Sequence, residues 1–163
     1  MKSKKPVTVD AARIRMADLC ARSEQCEHDI RQKLFKMGLP SSQSNEVISY
    51  LTDNRFLDNS RFARSFARDK CRFSGWGKYK IRMALAAKRI SSADISEGLD
   101  AIETDDYSGA LRRTASAKAR TLDLFGEDAR ENRMKLYRHI LSRGFEPQLA
   151  SDMVKTILKE SAT

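Results

Sequence analysis

Five apolar positions recur three times along this chain, at a period of about fifty residues. Ile30, Leu34, Leu39, Ile48 and Leu51 are matched by Ile81, Leu85, Ile90, Leu99 and Ile102. The pattern returns as Leu136, Ile140, Phe145, Val154 and Ile157. Spacings of three and four put such residues on one face of a helix. Each copy therefore reads as helix, short turn, helix. Gly38 and Gly144 stand just before the apolar turn residue, where a left-handed C-cap is expected. Arg89 stands there in the middle copy, so that turn must differ or carry strain. Ser91-Ser92-Ala93-Asp94, Pro40-Ser41-Ser42 and Glu146-Pro147-Gln148 are helix-start signals.

A third helix follows each of the first two copies. Asp58 is placed to cap one from Asn59 to about Phe73. Asp105 or Asp106 is placed to cap another from about Tyr107 to Leu124. Asp10 to Arg22 forms a lone amphipathic helix ahead of the first copy. The expected fold class is all-α, with tandem three-helix repeats stacked into an elongated, curved body. The expected division is a basic disordered tail at 1–9, an N-terminal helix plus the first repeat at 10–73, a second repeat at 74–126 and a third, shorter helical repeat at 127–163. A single irregular bundle is the alternative. Only three prolines and seven glycines occur in 163 residues, sparse punctuation for a β-sandwich or barrel. Hydrophobic residues at 40% and charged residues at 33% fit a globular chain.

The net charge of +9 points to a polyanionic partner. From Arg55 to Arg89 eleven Lys or Arg face only Asp58 and Asp69, an excess equal to the whole net charge. Ile90 to Leu111 then carries six acids and no base. This polarity suggests an oriented, electrostatically steered partner. Arg61, Arg64, Arg68 and Arg72 fall within one helical stripe about 80° wide. Phe62 and Phe66 turn toward the core beside it. The stripe is expected to be exposed and ready for phosphate or an acidic protein groove. A plain solvated face is the alternative, although like charges at this spacing repel.

The segment Gly75-Trp76-Gly77-Lys78-Tyr79-Lys80 follows. The helix start after Gly77 is a candidate anion receiver, and Trp76 or Tyr79 is a candidate for base stacking. Alternatively, Trp76 only fastens one repeat to the next. With Lys70, Arg82, Lys88 and Arg89, these residues complete the candidate set for binding nucleic acid or an acidic protein face.

No catalytic constellation, P-loop or Gly-rich dinucleotide motif is present, so neither an enzyme nor a cofactor is expected. Asp105-Asp106 reads as a helix N-terminus rather than a metal site. Cys20, Cys26 and Cys71 form no CxxC pair. Together with His28 they match no standard zinc spacing, so metal binding is not expected and a reducing cytoplasm is. No export signal and no run of roughly 18 apolar residues is seen, so no membrane role is expected.

Several segments resemble the RecX family. They are Arg22-Ser23-Glu24, Lys33-Leu34 with Gly38-Leu39, Leu57-Asp58-Asn59-Ser60-Arg61-Phe62-Ala63, Gly75-Trp76-Gly77-Lys78-Tyr79-Lys80-Ile81, Lys88-Arg89-Ile90 and Arg143-Gly144-Phe145. Arg89 replaces the usual glycine and Asn59 the usual second aspartate. The resemblance implies tandem three-helix repeats and a regulator that binds the RecA–single-stranded DNA filament; a monomer is expected. It implies insertion into the filament groove, with inhibition of strand exchange and ATP hydrolysis by RecA. Direct contact with single-stranded DNA is a further expectation. The rival is a helix-turn-helix-like DNA-binding transcription regulator.

Overall fold

The computed structural model describes residues 5–163. Among them are nine helices and no strand: α1 (Val9–Arg22), α2 (Glu27–Lys36), α3 (Ser41–Asp53), α4 (Asn59–Ser74), α5 (Lys78–Ala87), α6 (Ser92–Asp100), α7 (Thr104–Ala119), α8 (Ala129–Ser142) and α9 (Pro147–Ser161). The basic tail expected at 1–9 lies partly outside the described residues, and Val9 already belongs to α1.

Fourteen of the fifteen repeated apolar positions are buried, and Val154 alone is half-exposed. The repeat is thus a packing pattern. The three turns are also alike. Gly38, Arg89 and Gly144 all take left-handed backbone, with φ of 83°, 57° and 96°. Their N–H groups bond Phe35, Ala86 and Leu141 carbonyls in turn. Of the two outcomes open for Arg89, strain in an unchanged turn is the one found; a side chain there costs on the order of 1 kcal/mol.

The grouping of helices differs from the expectation by one helix. α1 packs on α3, α4 packs most extensively on α6, and α7 packs on α8 and α9. Unit 1 is therefore α1–α3, unit 2 is α4–α6 and unit 3 is α7–α9. The helix at 59–73 opens unit 2 rather than closing unit 1, and α1 is not a stray element. The reason is steric: a Cβ at Gly98 of α6 would meet the Ala63 carbonyl oxygen at 2.8 Å. That lets α4 lie close on α6. A core of Ala12, Met16, Ile30, Leu34, Val47, Ile48 and Leu51 closes inside unit 1 without α4.

Capping mostly follows the expectation. Asp58 accepts from the Arg61 N–H at 3.0 Å and Ser91 from the Asp94 N–H at 3.2 Å. Pro147 opens α9. α7 departs from it: it begins at Thr104, after a Glu103 that makes no side-chain cap bond. Asp105 and Asp106 therefore sit in its first turn, where their charge suits the dipole. α7 also ends at Ala119, and the chain turns so that Leu124 reaches the core. The surface of 10471 Å² exceeds the roughly 8,200 Å² of a compact monomer of this mass, as a stacked array requires.

Candidate functional site

The arginine row on α4 is not free. Arg61 bonds Glu24 at 2.5 Å and also the Arg55 and Phe56 carbonyls. Arg64 reaches Ser60 at 2.8 Å and Glu97 at 3.3 Å. Arg68 donates to the Ala101 carbonyl at 3.2 Å, and Arg72 bonds Asp106 at 2.8 Å. The hydrogen bonds to Glu24 and Asp106 raise the Arg61 and Arg72 guanidinium pKa values further. α4 is thus the spine of the array: its arginines tie to unit 1, to α6 and to unit 3. The expectation of an unpartnered stripe is corrected, while Arg68 and Arg72 do remain exposed. The acids that take up these charges come from distant parts of the sequence. Two of them, Glu97 and Asp106, belong to the acidic stretch read as one pole of a steering field, so part of that polarity is spent inside the molecule.

The helix start after Gly77 is also occupied. The Gly77 N–H bonds the Arg143 carbonyl at 2.8 Å, the Lys78 N–H the Tyr107 hydroxyl at 3.1 Å, and the Tyr79 N–H the Gly144 carbonyl at 3.0 Å. The Tyr107 hydroxyl in turn donates to Glu146 at 2.6 Å. Those three N–H groups are thereby closed to an external anion. The two glycines make the contact feasible. A Cβ on Gly77 would lie 2.3 Å from the Gly144 carbonyl.

The remaining candidate residues gather around the start of α5. Trp76 packs on the core with its edge toward Phe66, at 6.4 Å between centroids and 70° between planes. The ammonium groups of Lys70 and Lys80 lie 4.8 and 4.7 Å from the centroid of its ring. A stacking base would have to displace a lysine, so the geometry favours Trp76 as a fastener. Tyr79 is 51% exposed, with Arg82 at 5.7 Å from its ring centroid. Lys78 turns toward the Tyr107 ring at 5.2 Å. Lys88 is held by Asp29 of unit 1 at 2.7 Å, and Arg89 is exposed at its turn.

Trp76, Tyr79, Lys80 and Met83 line one side of an open groove of about 480 Å³, and Leu141 and Gly144 line the other. Met83 is 74% exposed. Sequence reasoning missed Met83 and Leu141. The available signal was an apolar Tyr79–Met83 pair, one turn apart, off the Ile81–Leu85 core face. What survives is a basic, aromatic groove between units 2 and 3, lined by Trp76, Tyr79, Lys80 and Met83 on one side and Leu141 and Gly144 on the other, with Lys70 against the Trp76 ring and Arg82 against the Tyr79 ring.

No nucleophile or metal centre accompanies it. Burial pushes the Cys20, Cys26 and Cys71 thiols up, away from the thiolate form that reacts. Among the described residues, no three His, Cys, Asp or Glu gather as metal ligands, and no helix is long and apolar enough to cross a membrane.

Fold and surface together define a tandem three-helix-repeat protein with a basic aromatic groove. A family model described as "RecX, second three-helix domain" matches residues 58–99, the span of α4 to α6. A "Regulatory protein RecX" of Clostridium botulinum (strain Eklund 17B / Type B) is 30% identical over 82% of this chain. The chain spans 62% of that relative's length. A "Regulatory protein RecX" of Prosthecochloris aestuarii is 29% identical over 83% of this chain and 85% of its own. A crystal structure of regulatory protein RecX superposes with a TM-score of 0.79 at 22% identity, covering 91% of this chain and 73% of that one. The chain belongs to the RecX family.

Proposed function

We propose that this protein binds the RecA–single-stranded DNA filament in the cytoplasm and inhibits RecA strand exchange and ATP hydrolysis, without catalysing a reaction itself. Family membership supplies the partner. The observation that carries the reading to particular residues is the groove at the start of α5, where Lys80 and the neighbouring Arg82 stand beside exposed Tyr79 and Met83 and, among the described residues, no acid is bonded to either cation. An array longer than a compact monomer suits a partner that repeats along a filament. The basic surface speeds encounter with a polyanion. Lys88 and the arginines of α4 act mainly by holding the units in one shape; Lys70, Lys78 and Arg89 are secondary contacts. Lys80 and Arg82, beside the exposed Tyr79 and Met83, are the first contacts.

The test is RecA ATPase on single-stranded DNA, titrated with this protein and with the Lys80→Glu/Arg82→Glu variant. The expected outcome is inhibition by the native chain and at least about tenfold weaker inhibition by the variant, with an unchanged thermal melt. Full inhibition by the variant rejects this groove, and no inhibition by the native chain rejects the partner. A sequence-specific footprint on duplex DNA, with RecA unaffected, favours the transcription-regulator alternative.

A further inference from the structure

The one repeated apolar position that is not fully buried is Val154 of α9. Its counterparts Ile48 and Leu99 are 6% and 3% exposed. Val154 therefore sits where the fold normally places a core residue, packed against the core on one side and only partly covered on the other. Beside it, α8 presents Met134, 46% exposed, and half-buried Tyr137. Together they floor an open groove of about 380 Å³ between α8 and α9. Its lining includes Arg130, Arg133 and Lys155. Among the described residues no carboxylate pairs with any of these three cations; Arg133 bonds the Leu124 carbonyl, and Glu131 is engaged by Lys135.

We propose that this groove docks an amphipathic helix of a partner protein, one with an apolar stripe at i, i+3, i+4 and i+7 flanked by Asp or Glu. The apolar floor lies between two helices, α7 already filling the place over α9 that α4 takes over α6, and a further helix laid along the outer side of α8 and α9 would complete the cover of Val154 and Met134. The cationic lining selects the charge of the flanks. A second copy of this chain is a poor occupant, because a two-fold contact would set Arg130, Arg133 and Lys155 against themselves. Nucleic acid fits less well than a helix, since the floor offers a methionine and a valine rather than a row of exposed flat rings. The groove lies within unit 3, away from the start of α5, so it can be tested independently of the RecA reading.

The probes are three fluorescent helical peptides of about four turns, sharing one leucine stripe and differing only in flanks of Glu, Gln or Lys. Anisotropy titration is expected to rank them Glu, Gln, Lys, with about tenfold or more between the first and last. Met134→Asp and, separately, Arg130→Glu/Lys155→Glu are expected to weaken the Glu peptide about tenfold without moving the thermal melt. Both changes lie on exposed side chains, so folding is preserved. Equal affinity for all three peptides overturns the proposal, as does unchanged binding by both variants. Displacement of the Glu peptide by an oligothymidylate identifies a nucleic-acid site instead. Self-association abolished by Met134→Asp identifies a homotypic contact instead.

Discussion

Arg89 and Gly144 occupy the same place in successive units, and the turn around each meets the start of the middle helix in the unit before. At the second junction, Gly144 lets backbone meet backbone. The start of α5 bonds the 143–144 turn and Tyr107, the Tyr107 and Phe145 rings pack at 5.4 Å, and one core runs through units 2 and 3. At the first junction, the turn carries Arg89 and approaches through side chains. Lys88 reaches Asp29, Asn59 caps the Glu27 N–H at 3.0 Å, and Arg61 holds Glu24. Of unit 1, only Cys26 joins the core of the other two. Polar, partly solvated contacts contribute less than buried apolar area and backbone interlock. Unit 1 is accordingly the module that opens at lowest free-energy cost.

The largest effect is expected where backbone has no room. Gly77→Ala would place a Cβ 2.3 Å from the Gly144 carbon and oxygen. Overpacking against backbone costs about 3 kcal/mol or more, and urea unfolding should record a loss of that size. A loss below about 1 kcal/mol would mean the interlock gives way easily, and the contrast between the junctions would fall.

Tyr107→Phe comes next. It strips the acceptor from the Lys78 N–H and the donor from Glu146, at a cost of about 1–3 kcal/mol. Burial first, and the Glu146 hydrogen bond second, raise the phenol pKa above its ordinary value. A raised folded-state pKa means this contribution is complete below the unfolded value near pH 10 and is lost as pH rises beyond it. Denaturation at about pH 8 and pH 10.5 should therefore show a steeper alkaline loss for the native chain than for Tyr107→Phe. Equal slopes would mean that the hydroxyl is not protected.

At the first junction, Lys88→Ala should cost about 1 kcal/mol or less. It should speed amide exchange in α1–α3 while leaving α7–α9 unchanged. Added salt should act on the native chain in the same direction, because a partly exposed ion pair is screened. If α7–α9 exchange faster as well, the units are coupled more tightly than the separate cores imply.

The repeat was legible because burial falls on the same five positions in every unit, and a period of three and four states that directly. The turns were legible at Gly38 and Gly144 for the same reason. The phase of the units was not, because the choice of partner for α4 depends on Gly98, a single small residue whose meaning appears only when Ala63 lies against it. The arginine row was misjudged for a related reason. Counting charge from Arg55 to Arg89 cannot see Glu24, Glu97 and Asp106, which lie 33 to 37 residues from their partners. Helical spacing identified one face correctly but said nothing of what that face meets. The groove at α5 was half legible: its cations and aromatics were visible, whereas Leu141 and Gly144 arrive from another unit.

The smallest expected effect returns to the residue that separates the two junctions. Arg89 holds φ of 57°, a conformation glycine adopts freely. Arg89→Gly relieves that strain but gives the unfolded chain more freedom, so the net gain should be about 0.5 kcal/mol. Asn tolerates left-handed backbone without the same unfolded-state freedom, so Arg89→Asn should gain a comparable amount. If Arg89 only closes a turn, both variants melt slightly higher and inhibit RecA ATPase as the native chain does. Should both melt higher yet inhibit less, its guanidinium reaches a partner, and the first junction carries binding charge where the second carries backbone packing. A fall in stability for both would show that Arg89 makes a compensating contact, removing strain as the distinction between the two turns.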